Sequence, residues 1–205
     1  MILVLSGVFI IPSIYYCLLI APVESKIGEF YRIIYFHIPA AWLCVVAFLV
    51  SFVASILFLS KSKQIYDAIA AKSAEIGLLF ALLATIMGSI FASLTWGSPW
   101  NWDPREVSIV VLMMIYVAYI VLRSSIQNSD RRGKVSAGYS IIAFMAVPFL
   151  VFIMPRITPS LHPENIGSGT LPLTMLLGVL GMVVGFTLLF IQILKTAVKI
   201  DLEGR

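Results

Sequence analysis

Six long apolar runs, each close to the roughly twenty residues a helix needs to cross the hydrocarbon core of a bilayer, constrain this chain more than any motif in it. They read as Met1–Ala21, Pro39–Ser60, Ala74–Leu94, Val107–Ser124, Ser136–Met154 and Leu171–Lys195. Backbone polar groups in hydrocarbon must be satisfied within the chain, which a helix does for itself. The expected fold is therefore all-α: a polytopic membrane helix bundle of about six transmembrane helices. Only 12% of the 205 residues are charged, about half the share usual in soluble domains. The polar stretches are short loops, so residues 1–205 are read as a single membrane-embedded domain.

Local signals refine the spans. Met1–Ala21 has no basic segment ahead of it and no small-x-small cleavage pattern after it, so it reads as a retained helix. Pro39 is expected in the first turn of the second helix, where its missing N–H costs nothing. Pro148 is expected to kink the fifth. Lys63–Glu75 reads as a short surface helix of its own. Gly181 and Gly185 match G-x-x-x-G, a weak signal that fits ordinary packing. Cys17 and Cys44 lie in apolar runs and form neither C-x-x-C nor C-x-x-C-H, which excludes a cysteine metal pair and a covalent haem attachment site.

The basic residues sort by side. Ten of the fourteen Lys and Arg fall after the second span, after the fourth, or in the tail. The positive-inside rule assigns these segments to the cytoplasm. Both termini are then expected to be cytoplasmic, and the pI near 9.1 is a topology signal rather than a nucleic-acid one. Three loops face outward: Pro22–Ile38, Trp96–Glu106 and Pro155–Thr170.

The middle outward loop, Trp96-Gly97-Ser98-Pro99-Trp100-Asn101-Trp102-Asp103-Pro104-Arg105, holds three of the chain's four tryptophans. Such a cluster can anchor a protein at the lipid–water boundary, or it can offer aromatic faces to a flat ligand. Asp103 followed by Pro104 and Glu106 reads as N-cap, N1 and N3 of the next helix. The chain's two histidines, His37 and His162, lie in the outward loops on either side. Imidazole is a frequent ligand of transition metals and of haem iron. Two imidazoles from separate loops can close on opposite faces of one flat macrocycle, although lone interfacial histidines are more often simply solvated. Arg32, Arg105 and Arg156 share that side and can meet carboxylates or lipid headgroups. No nucleotide-binding glycine motif, zinc-protease motif or nucleophile–histidine pair is visible, and a charge relay through the helices is poorly supported.

The tryptophan loop resembles the "WWD" signature of membrane proteins that handle haem in cytochrome c biogenesis. Tyr31–Trp42, with His37 ahead of Ile38-Pro39-Ala40-Ala41, is similar to the first histidine region of the CcmC family (haem exporter protein C), and His162 falls where that family has its second. The resemblance covers nearly the whole chain. It implies a haem-handling protein of the bacterial inner membrane, not an enzyme, whose site faces the periplasm. It implies non-covalent haem b with His37 and His162 as axial ligands, and Trp96, Trp100, Trp102 and Asp103 as the platform. The implied partners are the haem chaperone CcmE, the ABC-type CcmA/CcmB complex with the small subunit CcmD, and membrane lipid. Trp-Asp-Pro-Arg-Glu is also close to the form in CcsA-type haem lyases of the second biogenesis system. Those are usually longer, and the Phe-His-Ile-Pro-Ala-Ala segment favours CcmC.

Overall fold

The computed structural model of the protein describes residues 2–22, 28–162 and 173–204. Among these residues, six helices are long and apolar enough to span a membrane. They are α1 (Ile2–Ile20), α2 (Glu29–Lys61), α3 (Gln64–Thr95), α4 (Pro104–Ser125), α5 (Ser129–Ile157) and α6 (Leu173–Glu203). The expected all-α membrane bundle is what the chain forms. Lys26 and Pro163 lie outside the described residues.

The helices are longer than the apolar runs. Lys63–Glu75 is not a separate surface helix but the opening of α3, which runs unbroken for 32 residues. Nothing in Ala68–Ala74 breaks a helix, and its alanines favour one. The extension carries Asp67 into the protein, 3% exposed. There Arg123 of α4 meets it in a two-pronged ion pair at 2.7 and 2.8 Å.

The start of α2 also departs from expectation. A 3-10 turn, Glu29–Ile33, feeds directly into α-helix from Ile34. His37 is therefore helical rather than in a loop, and Pro39 sits past the first turn. The bond Pro39 forgoes is the one to the Tyr35 carbonyl, a loss confined to the helix's opening turns. Pro148 acts as expected in kind: α5 changes to a π-helical turn at Phe149–Ile153, immediately after it.

A stripe of small residues organises the bundle. Ala70, Ala74, Gly77, Ala81, Ala84, Gly88 and Ala92 recur every three or four residues along α3. Helix backbones approach closely where side chains are this small, and α2 packs antiparallel along the stripe. Ser51 of α2 donates to the Ala70 carbonyl at 2.8 Å. Phe48 lies over Gly77, where a Cβ would meet its ring at 2.7 Å. His37 reaches the stripe's far end. Phe48 stacks on Tyr116 of α4, with centroids 3.5 Å apart and planes 11° from parallel. On the other side α6 packs on α1, where a Cβ at Gly185 would meet Ile10 at 2.5 Å. The glycines of the G-x-x-x-G match thus serve internal packing.

Phe48 is pinned between Gly77 and Tyr116 and has no room to retreat. Gly77→Ala should therefore lower stability by about 1–3 kcal/mol through overpacking. Gly138→Ala, at a position with nothing within 4 Å of the added Cβ, should leave it unchanged or slightly raised. Thermal unfolding of both variants in detergent checks the pair.

Candidate functional site

The site is built at the end of the bundle where α2 begins, α3 ends and α4 begins. Its organising group is Asp103. It caps α4 through a capping box, with its carboxylate accepting from the Arg105 N–H at 2.9 Å and the Glu106 carboxylate accepting from the Asp103 N–H at 3.2 Å. Glu106 also accepts from the Asn101 N–H at 2.7 Å, closing the loop onto the helix. The sequence-level cap at Asp103, Pro104 and Glu106 is therefore present as read.

The other oxygen of Asp103 holds a different part of the chain. It accepts from the Leu161 N–H at 2.6 Å and the Ser160 hydroxyl at 2.9 Å, while Oδ1 accepts from His162 Nδ1 at 2.9 Å. The segment after α5 is thus docked onto the tryptophan loop by one carboxylate. Burial opposes ionisation of Asp103, but the N–H groups of Arg105 and Leu161 and the Ser160 hydroxyl hold its carboxyl below the usual range. Burial likewise pushes His162 below the ordinary imidazole value, against the pull of Asp103. A neutral imidazole facing a carboxylate must place its proton on Nδ1, which leaves the Nε2 lone pair free.

His37 reaches the same tautomer by another route. Its Nδ1 lies 2.9 Å from the Ala84 carbonyl of α3. A carbonyl only accepts, so Nδ1 carries the proton and Nε2 is again the free acceptor. The ring fits because Gly88 has no side chain: a Cβ there would stand 3.1 Å from His37 Cε1. Both histidines lie at this end of the bundle, His37 against Ala84 and Gly88 of α3 and His162 against Trp96 and Asp103. Neither Nε2 has a hydrogen-bond partner among the described residues.

Aromatic rings run from α2 to His162. Tyr31 meets Phe91 at 6.3 Å, Phe91 meets Trp96 at 6.4 Å, and Trp96 meets His162 edge-on at 4.8 Å. The three clustered tryptophans thus do different things. Trp96 buttresses His162, whereas Trp100 and Trp102 pair edge-to-face with each other at 5.8 Å. Trp102 is 78% exposed and has a left-handed backbone, φ 57°, uncommon for a bulky residue. Of the arginines, Arg32 is committed to Glu29 and to the Cys17 carbonyl. Arg156 donates to the Phe152 carbonyl at 2.8 Å. Arg105 has a buried Nε without a partner and lies within electrostatic reach of Arg156.

Sequence reasoning did not find Ser160, the Ala84 carbonyl or Gly88. Ser160 stands two residues before His162, the only local signal it offers. Gly88 and Ala84 are ordinary residues of an apolar helix until α2 is laid against them.

The family model described as "Heme exporter protein C" matches residues 1–205. Among curated relatives, "Heme exporter protein C" of Bradyrhizobium diazoefficiens is 26% identical over 91% of this chain and 72% of its own length. The protein of the same name in Rhodobacter capsulatus is 31% identical over 59% of this chain and 50% of its own. That of Escherichia coli K12 is 30% identical over 63% of this chain and 53% of its own. The matched segment thus spans about half of several of these relatives.

If Asp103 docks the His162 segment, Asp103→Ala removes a cap worth about 1 kcal/mol. It also strands buried donors at about 1–3 kcal/mol each. Exchange of the Leu161 amide with solvent deuterium should then accelerate by about tenfold or more. An unchanged rate would show that the segment is held by other contacts.

Proposed function

The chain belongs to the Heme exporter protein C family, and from that premise we propose that it holds haem b at the outer face of a bacterial inner membrane and delivers it to a periplasmic haem chaperone of the CcmE type. The observation that carries this reading is the matched pair of imidazoles. Each has its Nδ1 proton engaged by the protein and its Nε2 lone pair unclaimed among the described residues. A bare ion in a structural site wants about four protein ligands. Two neutral imidazoles from separate segments instead suit the two axial positions of a planar macrocycle, and that is how the donor set fits haem.

The remaining residues supply what such a cargo requires. Trp96 gives an apolar wall beside His162, and Trp100 and Trp102 extend it toward the lipid boundary. The Trp102 indole, pushed outward by its backbone, reads equally as a membrane anchor, and the two uses are compatible. Arg105 and Arg156 would meet the propionates, for which a planar guanidinium fork is suited. His37 and His162 would hold the iron that haem supplies, and the protein's own part is to position, shield and release. No bond is made or broken by the chain, so it is a carrier rather than an enzyme.

Orientation follows from charge. Ten of the fourteen lysines and arginines lie in or near the helix ends that flank the α2–α3 and α4–α5 connections, in the C-terminal third of α6 or in the tail, which supports a cytoplasmic side for these segments and both termini and an outer face for the histidine end. A CcmA/CcmB ABC-type complex and a CcmD subunit are the partners this reading implies, with membrane lipid around the bundle.

Purified protein loaded with haem should show a low-spin spectrum typical of two axial histidines. His37→Ala combined with His162→Ala should abolish that spectrum and the haem content with it. Retention of both would overturn the ligand assignment. Arg105→Gln should keep the spectrum but weaken haem retention by roughly the worth of a charged hydrogen bond, about 1.5–3 kcal/mol. A titration with ferric haem measures it.

A further inference from the structure

The two histidines sit on unlike seats. His37 gives its Nδ1 proton to a peptide carbonyl, Ala84, at 2.9 Å. His162 gives its own to a carboxylate oxygen of Asp103, also at 2.9 Å. The Asp103 side chain is fully shielded, 0% exposed, while that of His162 is 24% exposed. A carboxylate drawing on Nδ1–H moves electron density onto Nε2 and strengthens it as a ligand. A neutral carbonyl does so less, because hydrogen bonds to ionised acceptors are roughly twice as strong.

The same carboxylate also fixes the backbone around His162. It accepts from Leu161 N–H and the Ser160 hydroxyl, and Ser160 Oγ in turn accepts from His162 N–H at 3.2 Å. Ligand strength and ligand position on that side therefore depend on one group. On the other side the imidazole rests beside Gly88 and a single peptide dipole, with no charged group among the described residues hydrogen-bonded to it.

We propose that His162 is the retained axial ligand and His37 the exchangeable one, with Asp103 as the positioning residue that creates the difference. This rests on the haem-holding reading above. Handover then begins at the face presented by α2. A Lewis base from the acceptor takes the place of His37 while His162 keeps hold. The acceptor approaches where α2 begins, not over the Asp103-bound segment.

Three full-length variants, His37→Gly, His162→Gly and Asp103→Asn, test this after loading with ferric haem. His37→Gly should retain haem and regain a six-coordinate spectrum on addition of free imidazole. His162→Gly should lose haem to an excess of apomyoglobin faster, by about tenfold or more. Asp103→Asn keeps an oxygen for the cap and for the Nδ1 proton but removes the charge and the acceptor of the Leu161 N–H. In that background the difference between the two glycine variants should shrink, and the haem reduction potential should rise, because the ferric state loses anionic support. Equal loss from both glycine variants, or faster loss from His37→Gly, overturns the proposal. So does an unchanged potential in Asp103→Asn whose thermal unfolding matches the unsubstituted protein. A haem-loaded protein that never shows the two-histidine spectrum overturns the haem-holding reading itself, and this proposal with it.

Discussion

Hydrocarbon offers backbone groups nothing to bond to, and the rest of the structure follows from that restriction. Each apolar run must close its own hydrogen bonds as helix, so irregular backbone and polar chemistry are driven to the ends of the bundle. Helix association then needs close packing rather than further burial of oil in oil. The small-residue stripe of α3 provides it, bringing α2 close enough for Phe48 to lie over Gly77 and for His37 to reach the Ala84 carbonyl. A contact at the functional end is thus a consequence of packing along the whole seam.

At that end one buried carboxylate joins three tasks. Asp103 starts α4, docks the segment after α5, and orients His162. Its protein neighbours satisfy it well, which is why a buried anion is tolerated there and why its carboxyl stays ionised against the cost of burial. The tryptophans around it are less alike than their clustering suggests, with Trp96 facing His162 and Trp102 facing outward. In a protein of a haem exporter family, this gives the motif's aspartate a physical task rather than only a place in a signature.

The sequence made the spans, the Asp103 cap and the two candidate ligands legible because each is a local pattern: apolar length, a cap residue with its N3 partner, a scarce residue type. It did not reveal that His37 is helical, because Pro39 two residues later reads as a helix start and the 3-10 turn ahead of it has no distinct signature. The extension of α3 through Lys63–Glu75 was hidden by its charges, which led the surface reading and concealed the Asp67–Arg123 pair. The seat made by Ala84 and Gly88 was not legible at all, since it exists only once α2 and α3 are in register. Arg32, which shares the outward side with Arg105 and Arg156, is engaged with Glu29 one turn away and with the Cys17 carbonyl of α1, and the second of these contacts is one that no spacing along the chain encodes.

The central claim is that both histidines present Nε2 to one iron. Because the chain has only two histidines, isotopic labelling of histidine nitrogen marks the whole ligand set without ambiguity. Electron–nuclear double resonance on the ferric haem-loaded protein should show strong coupling to two labelled imidazole nitrogens. A single coupled nitrogen, or none, would contradict the account.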